Sequence, residues 1–259
     1  MTHPDPVLAL FDAQLRRDTR PDGPGIRIER SDGVVRQVGS DGGWAAVIWS
    51  DLTEATADAA IAAQVRHFTT LDRSFEWKLY GHDTPADLPE RLTAAGFTPE
   101  PRETLMVARI RGLPTTPELP DGIRLHQVTD PADLHLMTQV HDEAFGNNSD
   151  QLRQQLLTQL TQSPETNTMT VAMAGDTPVC AARMEFHPGT DFASLWGGGT
   201  LPAWRGKGIY RALVAHRARI AAAHGYRYLQ VDASDQSRPI LQRLGFVPLT
   251  TTTPYVYEP

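Results

Sequence analysis

The stretch Leu195-Trp196-Gly197-Gly198-Gly199-Thr200-Leu201-Pro202-Ala203-Trp204-Arg205-Gly206-Lys207-Gly208-Ile209-Tyr210-Arg211-Ala212-Leu213 decides the fold. A strand ends in it, a basic turn containing glycine follows, and a long helix begins. Glycine lets backbone approach a ligand closely, and free amides at a helix start point at an anion with the helix dipole behind them. The run therefore predicts a ligand that contains phosphate. A nucleoside triphosphate loop would need Gly at 201 and Ser or Thr at 208, where Leu201 and Gly208 stand. A dinucleotide fingerprint starting at Gly206 would need Gly or Ala at 211, where Arg211 stands.

Outward from this run, the spacing predicts a helix over 208–224, with Ile209, Leu213, His216 and Ile220 on one face and Gly225 as its left-handed stop. Helices are expected over 133–144 and 150–162, strands over 168–174, 179–186 and 192–201, then a strand over 228–232, a short helix over 238–244 and a last strand over 254–257. Upstream, strands are expected over 44–49, 75–80 and 103–110, and helices over 53–68 and 86–95. Pro114, Pro117 and Pro120 mark a linker, dividing the chain into domains 1–115 and 121–259. Both halves end alike, Leu92-Thr93-Ala94-Ala95-Gly96-Phe97 in one and Leu241-Gln242-Arg243-Leu244-Gly245-Phe246 in the other, which suggests an internal repeat.

The chain has 259 residues, 40% of them hydrophobic and 21% charged, enough apolar material for two cores. A net charge of −7 opposes binding to nucleic acid. Cys180 is the only cysteine and sits in an apolar run, so a buried thiol in a reducing cytoplasm is expected. No apolar run approaches the ~20 residues that span a bilayer, and the first residues lack the order of a signal peptide. His135 and His141 lie six apart, a spacing that does not share a helix face, so no metal is expected.

A strand, Leu201-Pro202, two residues, Arg205-Gly206-Lys207-Gly208-Ile209 and an amphipathic helix resemble the acetyl-CoA motif of the GNAT acyltransferase superfamily, and the likeness runs from about Ile123 to Pro259. The resemblance implies an α/β fold of two GNAT-like domains in tandem, mixed sheets flanked by helices, as in mycothiol synthase-like proteins. It assigns the coenzyme pyrophosphate to Arg205, Gly206, Lys207, Gly208, Ile209 and Tyr210, and pantetheine to the backbones of Gly199 and Leu201. The first half has Ser50-Asp51-Leu52 where a basic turn would stand, so it is expected to bind no coenzyme.

The implied activity is transfer of acetyl from acetyl-CoA to the amine of a small molecule, by direct attack, with amides near Leu201 stabilising the oxyanion. Glu185 and Asp232 are the candidate bases. The sequence departs from the family at Ala203, at Ser234, and at Leu241, where a tyrosine usually serves as general acid. Ser237, Tyr255 and Tyr257 are the substitutes considered for that acid. Gly197-Gly198-Gly199 suits a bulge and either opens room for a bulky acceptor or simply kinks the strand. His141-Asp142-Glu143 and Phe145 lie where the family shapes its acceptor site, and Trp196 and Trp204 wall a pocket or merely pack. A coenzyme A-dependent sensor without catalysis and an acetyltransferase for protein amino groups are the alternative functions. The sequence names neither the acceptor nor the oligomeric state.

Overall fold

The computed structural model describes residues 5–21, 23, 25–39, 43–146 and 149–259. The chain runs α1 (Pro6–Phe11), a π-helical turn (Asp12–Arg17), β1 (Arg27–Ser31), β2 (Val34–Val38), β3 (Ala45–Ser50), α2 (Ala57–Thr70), β4 (Phe75–Tyr80), α3 (Leu88–Ala94), β5 (Thr98–Pro99) and β6 (Glu103–Arg109). It continues with β7 (Ile123–Gln127), α4 (Leu134–Phe145), α5 (Asp150–Gln162), β8 (Asn167–Ala174), β9 (Thr177–Phe186), β10 (Phe192–Thr200), α6 (Ile209–Ala223), β11 (Tyr228–Ala233), α7 (Arg238–Arg243) and β12 (Val247–Tyr257).

These elements form two compact units. One holds 1–106, 232–241 and 248–259, and the other 107–231 and 242–247. The division does not follow the proline-rich segment alone, because most of β12 belongs to the first unit. There it pairs antiparallel with β4, Thr252 opposite Tyr80 through Tyr257 opposite Phe75. The last strand is longer than its sequence suggests, starting at Val247 rather than Pro254.

In the first unit the strand order is β1-β2-β3-β4-β12-β6, with β5 on β12. Phe75, Trp77 and Leu79 alternate into a core with Ile61, Phe68, Leu88, Leu92 and Phe97. Glu76, Lys78 and Tyr80 therefore occupy the opposite face of β4. The hairpin β1–β2 and the helix α1 were not expected from the sequence. The hairpin turns on Asp32 and Gly33, both with positive φ (53° and 79°), the backbone of a two-residue turn between twisted strands. Helix α2 starts at Ala57 rather than at 53, since Thr53 to Thr56 form a turn in which the Thr56 hydroxyl accepts the Thr53 amide at 2.9 Å.

In the second unit the order is β11-β10-β9-β8-β7, with β7, another strand not expected from the sequence, antiparallel to β8. Helices α4 and α5 cover one core, with Met137, Val140, Leu156, Met169 and Val171, and α6 covers another through Ile209 and Leu213 against Val179, Cys180 and Ala182. The two helix ends noted in the sequence are alike in conformation: Gly96 and Gly245 have φ of 95° and 96°, and each is followed by a buried phenylalanine. Among the described residues no helix is long and apolar enough to cross a membrane.

Arg16, 2% exposed, fixes the amino-terminal segment onto the first unit. Its guanidinium donates to both Asp83 carboxylate oxygens at 2.7 Å, to Asp12 at 2.7 Å and to the Ile48 carbonyl at 2.9 Å. It also lies over the Tyr80 ring at 4.0 Å. Removing one partner of a buried pair strands a charge, so Asp83→Ala should cost about 3–5 kcal/mol in urea denaturation.

Candidate functional site

Strands β10 and β11 run parallel but share a register only from Phe192 opposite Tyr228 to Ser194 opposite Gln230. The last pair is locked by side chains: the buried Ser194 hydroxyl accepts from the Gln230 amide and lies 2.6 Å from His187 Nε2. From Leu195 to Thr200 the β11 side of β10 has no strand partner among the described residues, while the other side stays paired with β9. Within this stretch the register against β9 shifts between Trp196 and Gly199, and Gly197 takes φ 58°, so the triglycine does form a bulge.

The glycines do not leave empty space. A Cβ on Gly198 would lie 2.7 Å from the Tyr210 ring, and one on Gly199 would lie 3.0 Å from Phe145 and 3.1 Å from the Ala144 Cβ. The bulge thus lets α6 and the end of α4 approach β10. Behind Tyr210, the buried Arg217 donates to the carbonyls of Leu213 and Arg183, each at 3.2 Å, and burial lowers its pKa.

The direction of the backbone corrects two expectations. The Leu201 amide donates to the Val179 carbonyl at 3.0 Å, and Thr200 lies opposite Cys180. In an antiparallel ladder this alternation turns the amides of Gly199 and Leu201 toward β9, and that of Thr200 toward the open edge. The Thr200 carbonyl agrees, since it accepts Arg205 Nε at 3.1 Å on that edge. The Leu201 amide is engaged and cannot receive an oxyanion. Sequence reasoning missed Thr200 because the direction of an amide depends on register.

The turn after β10 is built as the motif requires. Gly206 and Gly208 have φ of 76° and 84°, a region open to glycine. Gly208 caps α6 without a side-chain hydrogen bond, and the first bond into the helix runs from Ala212 to Gly208 at 3.0 Å. Among the described residues, none of the amides from Gly206 to Arg211 donates to a backbone carbonyl or a side chain, so a row of donors at a helix start is left for an anion. Arg205 and Lys207 are exposed beside it, with Lys207 Nζ 4.4 Å from the Trp204 ring centre. Trp204 itself packs beside the cores of the second unit.

The candidate bases are both engaged. Glu185 accepts Gln159 Nε2 at 2.9 Å and Arg183 Nε at 3.3 Å. Asp232, its side chain 5% exposed, accepts Lys78 Nζ at 2.5 Å. Neither stands as a free carboxylate ready to take a proton. Leu241 is fully buried. Ser237 closes the turn before α7, its amide 3.3 Å from the Ser234 hydroxyl. Tyr255 lies in the core of the first unit, and Tyr257 packs on Phe75 and Phe97. His141 Nδ1 lies 2.8 Å from the Ser149 hydroxyl, its ring 4.7 Å from that of Phe145, and burial lowers its pKa. The Cys180 thiol is buried, 3.0 Å from Thr200 Oγ1, and burial pushes its pKa up to about 11.

These features define an α/β protein whose second unit carries a turn of unengaged amides before α6 and, along β10, a strand edge without a partner among the described residues. Residues 134–246 match the family described as Acetyltransferase (GNAT) family. That match covers the larger part of the second unit, and the segment Ser50-Asp51-Leu52 after β3 lacks a basic turn. A GCN5-related N-acetyltransferase from Kribbella flavida superposes with a TM-score of 0.69 at 18% identity, covering 90% of this chain and 89% of its own. One from Sphaerobacter thermophilus gives 0.60 at 17%, covering 89% and 82%. A tandem GNAT protein from the clavulanic acid biosynthesis pathway gives 0.59 at 14%, covering 93% and 85%. At these identities the likeness is one of fold. No curated protein matches the sequence.

The close approach at the bulge is testable. Gly198→Ala would force a methyl group against the Tyr210 ring, and should lower stability by about 1–3 kcal/mol in thermal unfolding.

Proposed function

We propose that the chain transfers the acetyl group of acetyl-CoA to the amine of a small molecule. The observation that carries this reading is the row of unengaged amides from Gly206 to Arg211 at the start of α6, in a domain of an acetyltransferase family. On this reading the amides of Gly206, Lys207, Gly208, Ile209 and Tyr210 hold the pyrophosphate, and the charges of Arg205 and Lys207 add to the helix dipole. The Thr200 amide takes the pantetheine contact first expected of Gly199 and Leu201. Acetyl-CoA supplies an activated thioester carbonyl, the free thiol of coenzyme A leaves, and no side chain needs to become acylated.

An amine arrives protonated and must lose its proton before it can attack. With Glu185 and Asp232 held in ion pairs, that proton passes to water, and water likewise returns one to the departing thiolate in place of the missing tyrosine. The first unit has Asp51 and Glu54 between β3 and α2, an acidic approach that disfavours a phosphate. The buried Cys180 thiol fits a reducing compartment, the cytoplasm.

Release of free thiol from acetyl-CoA, followed with a panel of amino acids, amino sugars and diamines, tests the reading. Turnover with at least one amine is expected. Gly206→Glu sets a carboxylate among the donors and should cut kcat/KM about 100-fold, the loss of one or two charge-assisted hydrogen bonds. Coenzyme binding with no turnover on any amine would favour a catalytically silent sensor, the reading to which the paired carboxylates and the buried Leu241 point.

A further inference from the structure

The face of the first unit opposite its aromatic core carries charges that the coenzyme turn does not use. Glu76, Lys78 and Tyr80 alternate on β4 away from Phe75, Trp77 and Leu79. Directly paired residues of neighbouring strands share a face, so Thr252, opposite Tyr80, belongs to it too. Asp232 joins it through its bond to Lys78.

Two acceptors on this face have no partner. Thr252 is 1% exposed, and its hydroxyl makes no hydrogen bond. Asp232 gives one carboxylate oxygen to Lys78, while the other, Oδ1, is buried and makes none. A buried polar atom left unbonded costs about 1–3 kcal/mol, and here one belongs to the carboxylate that holds Lys78 and the other lies on the same face of the sheet. The charges are unbalanced in the same direction. Lys78 faces Asp232, Glu76 and Glu103, with Glu100 near. Glu76 accepts Trp44 Nε1 at 2.8 Å, and burial raises its pKa. Glu103 is pushed up to about 7, first by burial, then by Asp232, with Glu76 and Glu100 adding to this and Lys78 opposing it.

A ligand for this face must bring hydrogen-bond donors and positive charge. An ammonium group brings three donors and one charge. A metal ion fits less well, because Lys78 occupies the middle of the carboxylates, and among the described residues no group of three or more His, Cys, Asp or Glu is arranged to hold one. We propose that Glu76, Glu103, Asp232 and Thr252 form a site for a protonated amino group of a small cationic molecule, a diamine or polyamine. The site stands independently of the acetyl-transfer reading.

The test is calorimetric titration of the full chain, without coenzyme, with 1,4-diaminobutane and with the neutral 1,4-butanediol. The diamine should bind and the diol should not. Glu103→Gln and Thr252→Val should each weaken diamine binding about tenfold, the loss of one hydrogen bond to a charged group. Asp58→Asn, on the exposed surface of α2, should leave it unchanged. Thr252→Val should also raise the unfolding temperature of the free protein, since it removes an unsatisfied hydroxyl. Between pH 6 and 8 the diamine stays charged while Glu103 ionises, so wild-type affinity should rise with pH and that of Glu103→Gln should stay flat. No binding of the diamine to wild type, equal binding by both site variants, or equal weakening by Asp58→Asn would overturn the proposal. Diamine binding in a chain that neither binds nor turns over acetyl-CoA would sink the transfer reading alone.

Discussion

The hydrogen-bonded pair of Ser194 and Gln230 governs the second unit. It is the last point at which β10 and β11 share a register, and buried side-chain bonds hold it closed. Beyond it β10 must present one edge without a strand, and an unpaired edge of backbone groups is a template for an extended polar ligand. The bulge at Gly197 draws α4 and α6 against this edge, so the turn at Gly206 and Gly208 ends with its amides beside it. A free strand edge and a free helix start are both unmet backbone demand. On the acetyl-transfer proposal, the pantetheine arm and the pyrophosphate of the coenzyme meet the two together.

The halves repeat a plan and divide its uses. In the first, β3 and β4 run parallel, with Ala46 and Val47 opposite Glu76 and Trp77, as β10 and β11 do in the second. The segment after β3 is acidic and closed by threonine hydrogen bonds. The polar face of β4 instead gathers carboxylates about Lys78, with β12 contributing Thr252.

Much of this was legible in the sequence, and the exceptions have physical reasons. The glycines at 96, 206, 208, 225 and 245 sit where their positive φ is needed, because local backbone sterics are a local property. Helix α5 and strand β4 fall where their spacing puts them. The hairpin of β1 and β2 carried a signal, Asp32-Gly33, that passed unread in a polar stretch. What could not be read was whatever depends on pairing across distance. The outward amide of Thr200, the ion pairs of Glu185 and Asp232, and the shared face of Thr252 and Lys78 all follow from register, and register is settled by packing after the strands form. The placement of Tyr255 and Tyr257 in an aromatic core has the same cause, since β12 pairs with β4.

The central claim is that the turn at Gly206 binds the pyrophosphate of coenzyme A, and thermal unfolding with acetyl-CoA, coenzyme A and ATP tests it most directly. A ligand at about 100 times its dissociation constant adds about 2.7 kcal/mol to stability. Both coenzyme species should raise the unfolding temperature of the wild type, ATP should not, and Gly206→Glu should abolish the rise. No shift with either coenzyme, or an equal shift in Gly206→Glu, would contradict the account.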